Sequence, residues 1–314
     1  MITVRDIGEF GLIRKLQKII ESNRPSRSSV VVGIGDDCAV LRSGDPGKLL
    51  LYTCDPVVEG VHYLAQTPPR QIGWKAMARN LSDIAAMGGL PRWAVVSIGL
   101  RPATPVKYVE RIYDGLRAAA GKFGCQIVGG DIAHVRREQF VVVALLGEVE
   151  KSKLTLRSGA KIGDSVLVTG TLGGSLHGKH LKFTPRVAEA RWLAQNFPIH
   201  AMIDLSDGLS GDLRRLVEAS KNRVGFEVFA AEVPISPAAR GSLNAALNDG
   251  EDFELLFTID PRSVTTLRKQ WLRKFKLPLT EIGSVVRSPG KVSLVTANGR
   301  KRFLTHSGYD HFAS

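Results

Sequence analysis

Val30-Val31-Val32-Gly33-Ile34-Gly35-Asp36-Asp37 is a run of three β-branched residues, a glycine-flanked turn and then two carboxylates. The pattern recurs: Leu49-Leu50-Leu51-Tyr52-Thr53-Cys54 runs into Asp55, Ile127-Val128-Gly129-Gly130 into Asp131, and Ala201-Met202-Ile203 into Asp204. Apolar runs of strand length, separated by helical stretches, predict an α/β (α+β) architecture. In open α/β sheets ligands bind beyond the carboxyl ends of strands, where loops converge, so several of these carboxylates are expected to meet. One aspartate after a strand is more often a cap or a turn residue. Several together repel by about 3 kcal/mol per pair near 5 Å at an effective dielectric of about 20, and a divalent cation offsets this. Oxygen ligands without a His/Cys cluster suit Mg2+.

Outward from these runs, apolar periodicity predicts helices over 9–20, 74–87, 106–123, 186–196, 209–220 and 263–275. In the first of these, Phe10, Ile13, Leu16 and Ile20 form an apolar stripe. Further strands are expected over 94–100, 126–128, 140–149, 165–169 and 253–259. The basic, glycine-punctuated stretch 151–163 is short of large apolar residues, which sets a domain boundary. The expected domains are 1–150 and 151–314.

The chain has 314 residues and a formal charge of +13, which favours an anionic partner. Its Lys/Arg clusters lack interleaved aromatics or any nucleic-acid motif, so no nucleic-acid partner is expected. No run of about 18 apolar residues occurs and the first residues lack a secretory pattern, so a cytoplasmic protein without a membrane segment is expected. Cys38, Cys54 and Cys125 are scattered without CxxC spacing and read as reduced thiols.

Asp83 lies off the apolar stripe of its helix and is free to join the carboxylates, or to pair with Arg79 four residues before it. In Asp204-Leu205-Ser206-Asp207-Gly208, Asp204 closes a strand while Ser206 or Asp207 can cap the next helix, whose N-terminus suits a phosphate. Gly173-Gly174-Ser175-Leu176-His177-Gly178-Lys179 nearly matches a phosphate-binding loop. His180 replaces the metal-binding Ser/Thr and Pro185 would break the required helix, so it is read as a decoy. Signals for hydride transfer, serine hydrolysis and zinc chemistry are absent from the sequence.

Taken in order, the chain also contains Gly33-Ile34-Gly35-Asp36-Asp37, Thr53-Cys54-Asp55, Asn80-Leu81-Ser82-Asp83 and Gly129-Gly130-Asp131. After these come Leu156-Arg157-Ser158-Gly159, Asp204-Leu205-Ser206-Asp207-Gly208, Gly250-Glu251-Asp252-Phe253 and Gly308-Tyr309-Asp310-His311-Phe312. This series resembles the thiamine-monophosphate kinases, members of the superfamily named for aminoimidazole ribonucleotide synthetase. The resemblance implies that fold in two domains, ATP and thiamine monophosphate as substrates, Mg2+ as cofactor, and a homodimer whose N-terminal sheets pair. It implies Asp37, Thr53, Cys54, Asp55, Asp83, Asp131, Asp204 and Asp207 as metal ligands, Asp204 and Asp207 being catalytic through the metal. Gly130, Asp131, Arg157 and Ser206 would contact ATP, and His62, Glu251 and His306 the thiamine substrate. No strong general base is expected, because a phosphate monoester with a second pKa of about 6 is already ionised near neutrality.

Cys54 stands where the family has Thr, and Asp249 and His306 also depart from its pattern. Selenophosphate synthetase and the hydrogenase-maturation dehydratase need a reactive N-terminal or C-terminal Cys, which this chain lacks. Aminoimidazole ribonucleotide synthetase-like chemistry, and a non-catalytic basic protein that binds nucleotide or nucleic acid, stay open as alternatives.

Overall fold

The computed structural model describes residues 2–22, 29–305 and 308–312. The first half contains α1 (Val4–Ser22), β1 (Val30–Val32), β2 (Ala39–Arg42), β3 (Lys48–Val58), α2 (Pro69–Ala86), β4 (Leu90–Leu100), α3 (Val106–Lys122), β5 (Gln126–His134) and β6 (Phe140–Glu150). These strands form a sheet in the order β1-β2-β3-β6-β4-β5, antiparallel except at β4–β5. Period-2 alternation turns Leu49, Leu51, Val57, Val141, Val143 and Leu145 toward α2 and α3, where they are buried. On the opposite face Tyr52, Trp93 and Val95 are exposed and Val142 and Leu146 half-buried.

The second half contains β7 (Ser165–Thr169), α4 (Val187–Asn196), β8 (Ala201–Asp204), α5 (Leu209–Ala219), β9 (Gly225–Phe229), α6 (Leu243–Asn248), β10 (Leu255–Ile259), α7 (Pro261–Lys274), β11 (Leu279–Val286), β12 (Val292–Val295) and β13 (Lys301–Phe303). Its sheet runs β13-β12-β9-β11-β7-β10-β8, with only β12–β9 parallel. Helices cover both faces, so Val166 and Val168 enter the core with α5 while Leu167 enters the core with α4 and α7. A strand buried on both sides reads as a continuous apolar run, which Ser165–Thr169 does.

The predicted helices are present, and three strand readings are corrected, the first being the strand expected from 253, which starts at Leu255 because Phe253 takes a positive φ. β3 runs on to Val58 and β5 to His134, so Asp55, Gly130 and Asp131 lie within strands rather than beyond their ends. The sheets are mainly antiparallel, so the rule for carboxyl ends of parallel strands does not explain how the aspartates converge. The stripe of α1 is also not a core face: no described residue of that helix is buried, and Leu16 and Ile20 are exposed.

Convergence comes from α2, which packs on β3 and β6 of the first sheet and, in the second half, on helix α4 and strand β8. Against α3 it packs without room for side chains at the crossing. A Cβ on Gly73 would lie 1.9 Å from the Ile112 carbonyl oxygen, and one on Gly115 2.0 Å from that of Arg70. Helix propensity alone favours Gly115→Ala by about 1 kcal/mol. The close approach reverses the sign, and we expect a loss of about 3 kcal/mol, read as a lower urea midpoint. An unchanged midpoint would mean that the helices separate freely.

Candidate active site

Three carboxylates from distant segments meet where α2 crosses β8. Asp37 comes from the β1–β2 connection, Asp83 from α2 and Asp204 from the end of β8, and each offers an oxygen within 4.8 Å of the other two. Thr53 Oγ1 donates to Asp83 at 2.5 Å, and Ser82 Oγ donates to Asp204 at 2.5 Å. Arg157 donates to Asp37 Oδ1 from Nε at 3.1 Å and Nη2 at 2.5 Å, and its main-chain N–H bonds Asp36. Asp55 lies on the helix-facing side of β3, where Arg79 Nε donates to it at 3.2 Å.

Two cations, Arg157 and Arg79, beside this many carboxylates leave them short of positive charge. Burial and then Asp37 push Asp36 up to about 7, and burial and then Asp37 do the same to Asp204. Burial, followed by the charges of Asp55, Asp204 and Asp37, holds Asp83 well above the usual carboxylate range. Asp207 rises to about 6 through burial and then Glu9. Asp37 Oδ2 is buried without a hydrogen-bond partner. An orphaned buried oxygen within a cluster of carboxylates is the donor set that a hard divalent cation fits.

Next to the cluster lies a cavity of about 610 Å³ that reaches from Ser206 and Asp207 to Leu64, Leu176 and Phe253. The Glu251-Asp252-Phe253 turn lines it in a costly conformation, with positive φ at both Glu251 (53°) and Phe253 (50°). Main-chain bonds from Glu251 to Ser206 (2.7 Å) and from Phe253 to Leu205 (2.8 Å) hold that turn against the Asp204 loop. Glu251 Oε2 accepts from Lys75 Nζ at 2.5 Å and lies 2.8 Å from His180 Nδ1. Burial alone would raise this carboxyl, but His180 and Lys75 hold it down at about 2. His62 is driven to about 3 by burial and then by Arg79 and Lys75, so its ring is neutral at pH 7. Its ring centroid lies 5.3 Å from that of His311, which in turn meets Tyr309 edge-on at 5.0 Å.

Of the residues expected from sequence, Asp37, Thr53, Asp55, Asp83, Arg157 and Asp204 are thus linked around the cluster. His62, Ser206, Asp207 and Glu251 line the adjoining cavity. Cys54 is exposed, because it alternates with Thr53 and Asp55 onto the opposite face, which leaves only its main-chain carbonyl for a metal on the cluster side. Asp131 does not join the cluster within one chain. Asp55 registers with Val143, Val143 with Val96 and Val96 with Gly130, so three strand spacings, about 14 Å of sheet, separate Asp55 from the Gly130-Asp131 pair. His306 lies outside the described residues.

Lys75, Arg79 and His180 join the site without having been expected from sequence, as do Tyr309 and His311 beyond their motif. The decoy loop explains His180: glycines 173, 174 and 178 all have positive φ, and two short 3-10 turns, Ser175–His177 and Lys179–Leu181, form a cavity wall instead of a helix. Lys75, at i−8 from Asp83, carries a usable signal as a lysine on the buried face of a helix.

Residues 35–149 match the family model for the AIR synthase related protein N-terminal domain, and residues 161–295 that for its C-terminal domain. The thiamine-monophosphate kinase of Rhodopirellula baltica is 40% identical over 276 residues, covering 83% of this chain and 85% of its own. That of Aquifex aeolicus is 34% identical over 337 residues, covering 98% and 99%. A solved structure described as AaThiL complexed with AMPPCP and TMP superposes with a TM-score of 0.83 at 34% identity, covering 99% of both chains. The hydrogenase maturation protein HypE, at 20% identity and a TM-score of 0.70 over 88% of this chain and 94% of its own, shares the fold alone. Identity of a third or more along nearly the whole length, on two matched domains and one shared fold, means that this chain belongs to the thiamine-monophosphate kinase family of AIR synthase related proteins.

Proposed function

We propose that the protein transfers the γ-phosphoryl group of ATP to thiamine monophosphate, giving thiamine diphosphate and ADP. The observation that carries this reading is a carboxylate cluster adjoining an aromatic-walled cavity, with Asp207, three residues after Asp204, on the cavity wall. A relative of 34% identity is described as complexed with AMPPCP, a methylene analogue of ATP, and TMP, which we read as thiamine monophosphate.

The substrate has a cationic thiazolium ring and an anionic phosphate. Glu251, ionised throughout the neutral range, suits the cation, and a neutral His62 adds an aromatic face without adding repulsion. His311 and Tyr309 extend that wall. At the other end Asp37, Thr53, Asp55, Asp83, Asp204 and Asp207, with the Cys54 carbonyl, would hold Mg2+, which supplies charge neutralisation between the phosphates when bound. Gly130, Arg157 and Ser206 are assigned to ATP. In the transfer an acceptor phosphate oxygen forms a bond to the γ-phosphorus while the bond to the β,γ-bridging oxygen breaks, and ADP leaves with that electron pair. The attacking oxygen is already ionised, so no side chain has to accept a proton.

We assign residues 1–150 to ATP and Mg2+ binding and dimerisation, and residues 151–314 to completing the nucleotide and substrate sites. Matches that end at 149 and resume at 161 support this division. A homodimer is proposed because the first sheet leaves an apolar face open and carries Asp131, on edge strand β5, beyond reach of its own cluster. A second copy facing that sheet would supply Asp131 to the neighbouring site. Among the described residues no helix is long and apolar enough to cross a membrane, and we propose a cytoplasmic location.

Incubating the purified protein with ATP, Mg2+ and thiamine monophosphate should yield thiamine diphosphate and ADP in equal amounts. Free thiamine, or omission of Mg2+, should yield none. ATP hydrolysis without thiamine diphosphate would contradict the acceptor assignment.

A further inference from the structure

Helix α2 carries Lys75, Arg79 and Asp83 at successive four-residue steps, so that one helical side runs from the substrate cavity to the carboxylate cluster. Both ends of this row have hydrogen-bond partners. Lys75 Nζ donates to the His62 carbonyl (2.7 Å) and Glu251 (2.5 Å) and lies 2.8 Å from His180, while Asp83 accepts from Thr53. Arg79 in the middle leaves one donor unused. Its Nε donates to Asp55 at 3.2 Å, but its Nη1 is buried without any hydrogen bond, 3.9 Å from Glu251 Oε1. Glu251 already has Lys75 and His180, so it does not need the guanidinium for neutralisation. Among the described residues lining the cavity, Arg79 is also the one lysine or arginine; the others that can become cationic are histidines.

We infer that Arg79 holds the phosphate of the acceptor, with its unbonded Nη1 supplying N–H donors where the cavity meets the carboxylate cluster. A guanidinium is permanently charged and presents paired donors that match phosphate oxygens. A buried donor left without an acceptor is costly, and a ligand phosphate removes that cost. A zwitterionic substrate then meets two adjoining groups of opposite sign, its phosphate on the guanidinium and its ring on the Glu251 side. Each of these groups is opposite in charge to the part of the substrate it receives. The same contact places the attacking oxygens beside the cluster, so Arg79 acts on the reacting group. This inference rests on the acceptor reading above, but binding alone can test it.

The experiment is calorimetric titration of thiamine monophosphate and free thiamine into wild type, Arg79→Met and Arg79→Lys, with thermal melting of each. The wild type should prefer the phosphorylated ligand. Arg79→Met should bind it at least about tenfold more weakly while binding free thiamine within about twofold of wild type, because only the phosphate contact is removed. Turnover should fall by about 10²–10³, with Arg79→Lys intermediate and added guanidinium restoring part of the Arg79→Met loss. An unchanged preference in folded Arg79→Met overturns the inference. So does parallel loss of both ligands with a lowered melting temperature, which is the mark of a structural role. If Arg79→Met does not fold, Arg79→Lys and Arg79→Gln decide by the same ratio. A wild type that binds both ligands but makes no thiamine diphosphate overturns the proposed reaction and leaves the phosphate contact to be judged by the titrations.

Discussion

Asp83→Asn is expected to lower turnover by about a thousandfold while making the metal-free protein harder to unfold. Function and stability separate here because the residue sits among like charges. Asp83 is held well above the usual carboxylate range by burial and by Asp55, Asp204 and Asp37, so its ionised form destabilises the fold when no cation is bound. Asparagine keeps an oxygen to accept from Thr53 and is uncharged at every pH, so it avoids both the cost of protonating Asp83 and the pair repulsion of its ionised form, about 3 kcal/mol near 5 Å at an effective dielectric of about 20. The pH dependence has the matching sign. Asp36 and Asp204 are raised to about 7 and Asp207 to about 6, so the folded state binds more protons than the unfolded chain between about pH 4 and 7. Metal-free wild type should therefore lose stability as pH rises through that window, and Asp83→Asn should lose less. Mg2+ at pH 8 should raise the wild-type melting temperature by several degrees and that of the variant by less. Scanning fluorimetry with EDTA or Mg2+ at pH 6 and 8 reads all of this. Equal wild-type melting temperatures at both pH values without metal would falsify the account of the cluster.

Arg157→Met is expected to act in the opposite direction on stability. Arg157 places two N–H donors on Asp37, whose side chain is fully buried, and contributes a main-chain N–H to Asp36. Removing one partner of a buried pair leaves the other charge uncompensated, at a cost of about 3–5 kcal/mol, or roughly 10 °C in melting temperature. Asp37 is already pushed up by burial, with Arg157 opposing that shift, so in the variant its proton affinity rises further. The loss should be greatest at pH 8 and shrink toward pH 5, where a protonated Asp37 needs no cation. Calorimetry at the two pH values checks this. A variant that melts like wild type at pH 8 would mean that Asp37 is neutral or hydrated in the native protein.

Both residues are legible as candidates in the sequence, but their partners are not. The apolar runs of β7, β8 and β10 and the helical stripes of α2, α3 and α5 are visible because residues two, three or four apart report which face is buried. The glycine-flanked turn before Asp36-Asp37 and the Asp204-Leu205-Ser206-Asp207 turn are equally local. β9, β12 and β13 are not legible, because Glu227, Ser293 and Lys301-Arg302 deny them the three consecutive apolar residues that β7, β8 and β10 show. α1 misleads for the opposite reason, since its stripe is periodic but faces no core in one chain.

By itself the sequence determined the helices, the strongly apolar strands, the aspartates that follow or interrupt those strands and the family, all of which depend on residues near each other in the chain. Tertiary structure alone decided which side chains meet. Ser82 reaches Asp204 across 122 residues, Lys75 reaches Glu251 across 176, and Arg157 reaches Asp37 across 120. It also decided that Asp131 lies three strands from Asp55 and that Arg79 keeps its buried Nη1 without a hydrogen bond. The physical reason is that a contact over such separations is fixed by how two sheets pack across α2. That packing follows from the summed burial of many apolar residues, and it leaves no local mark on the polar residues it brings together.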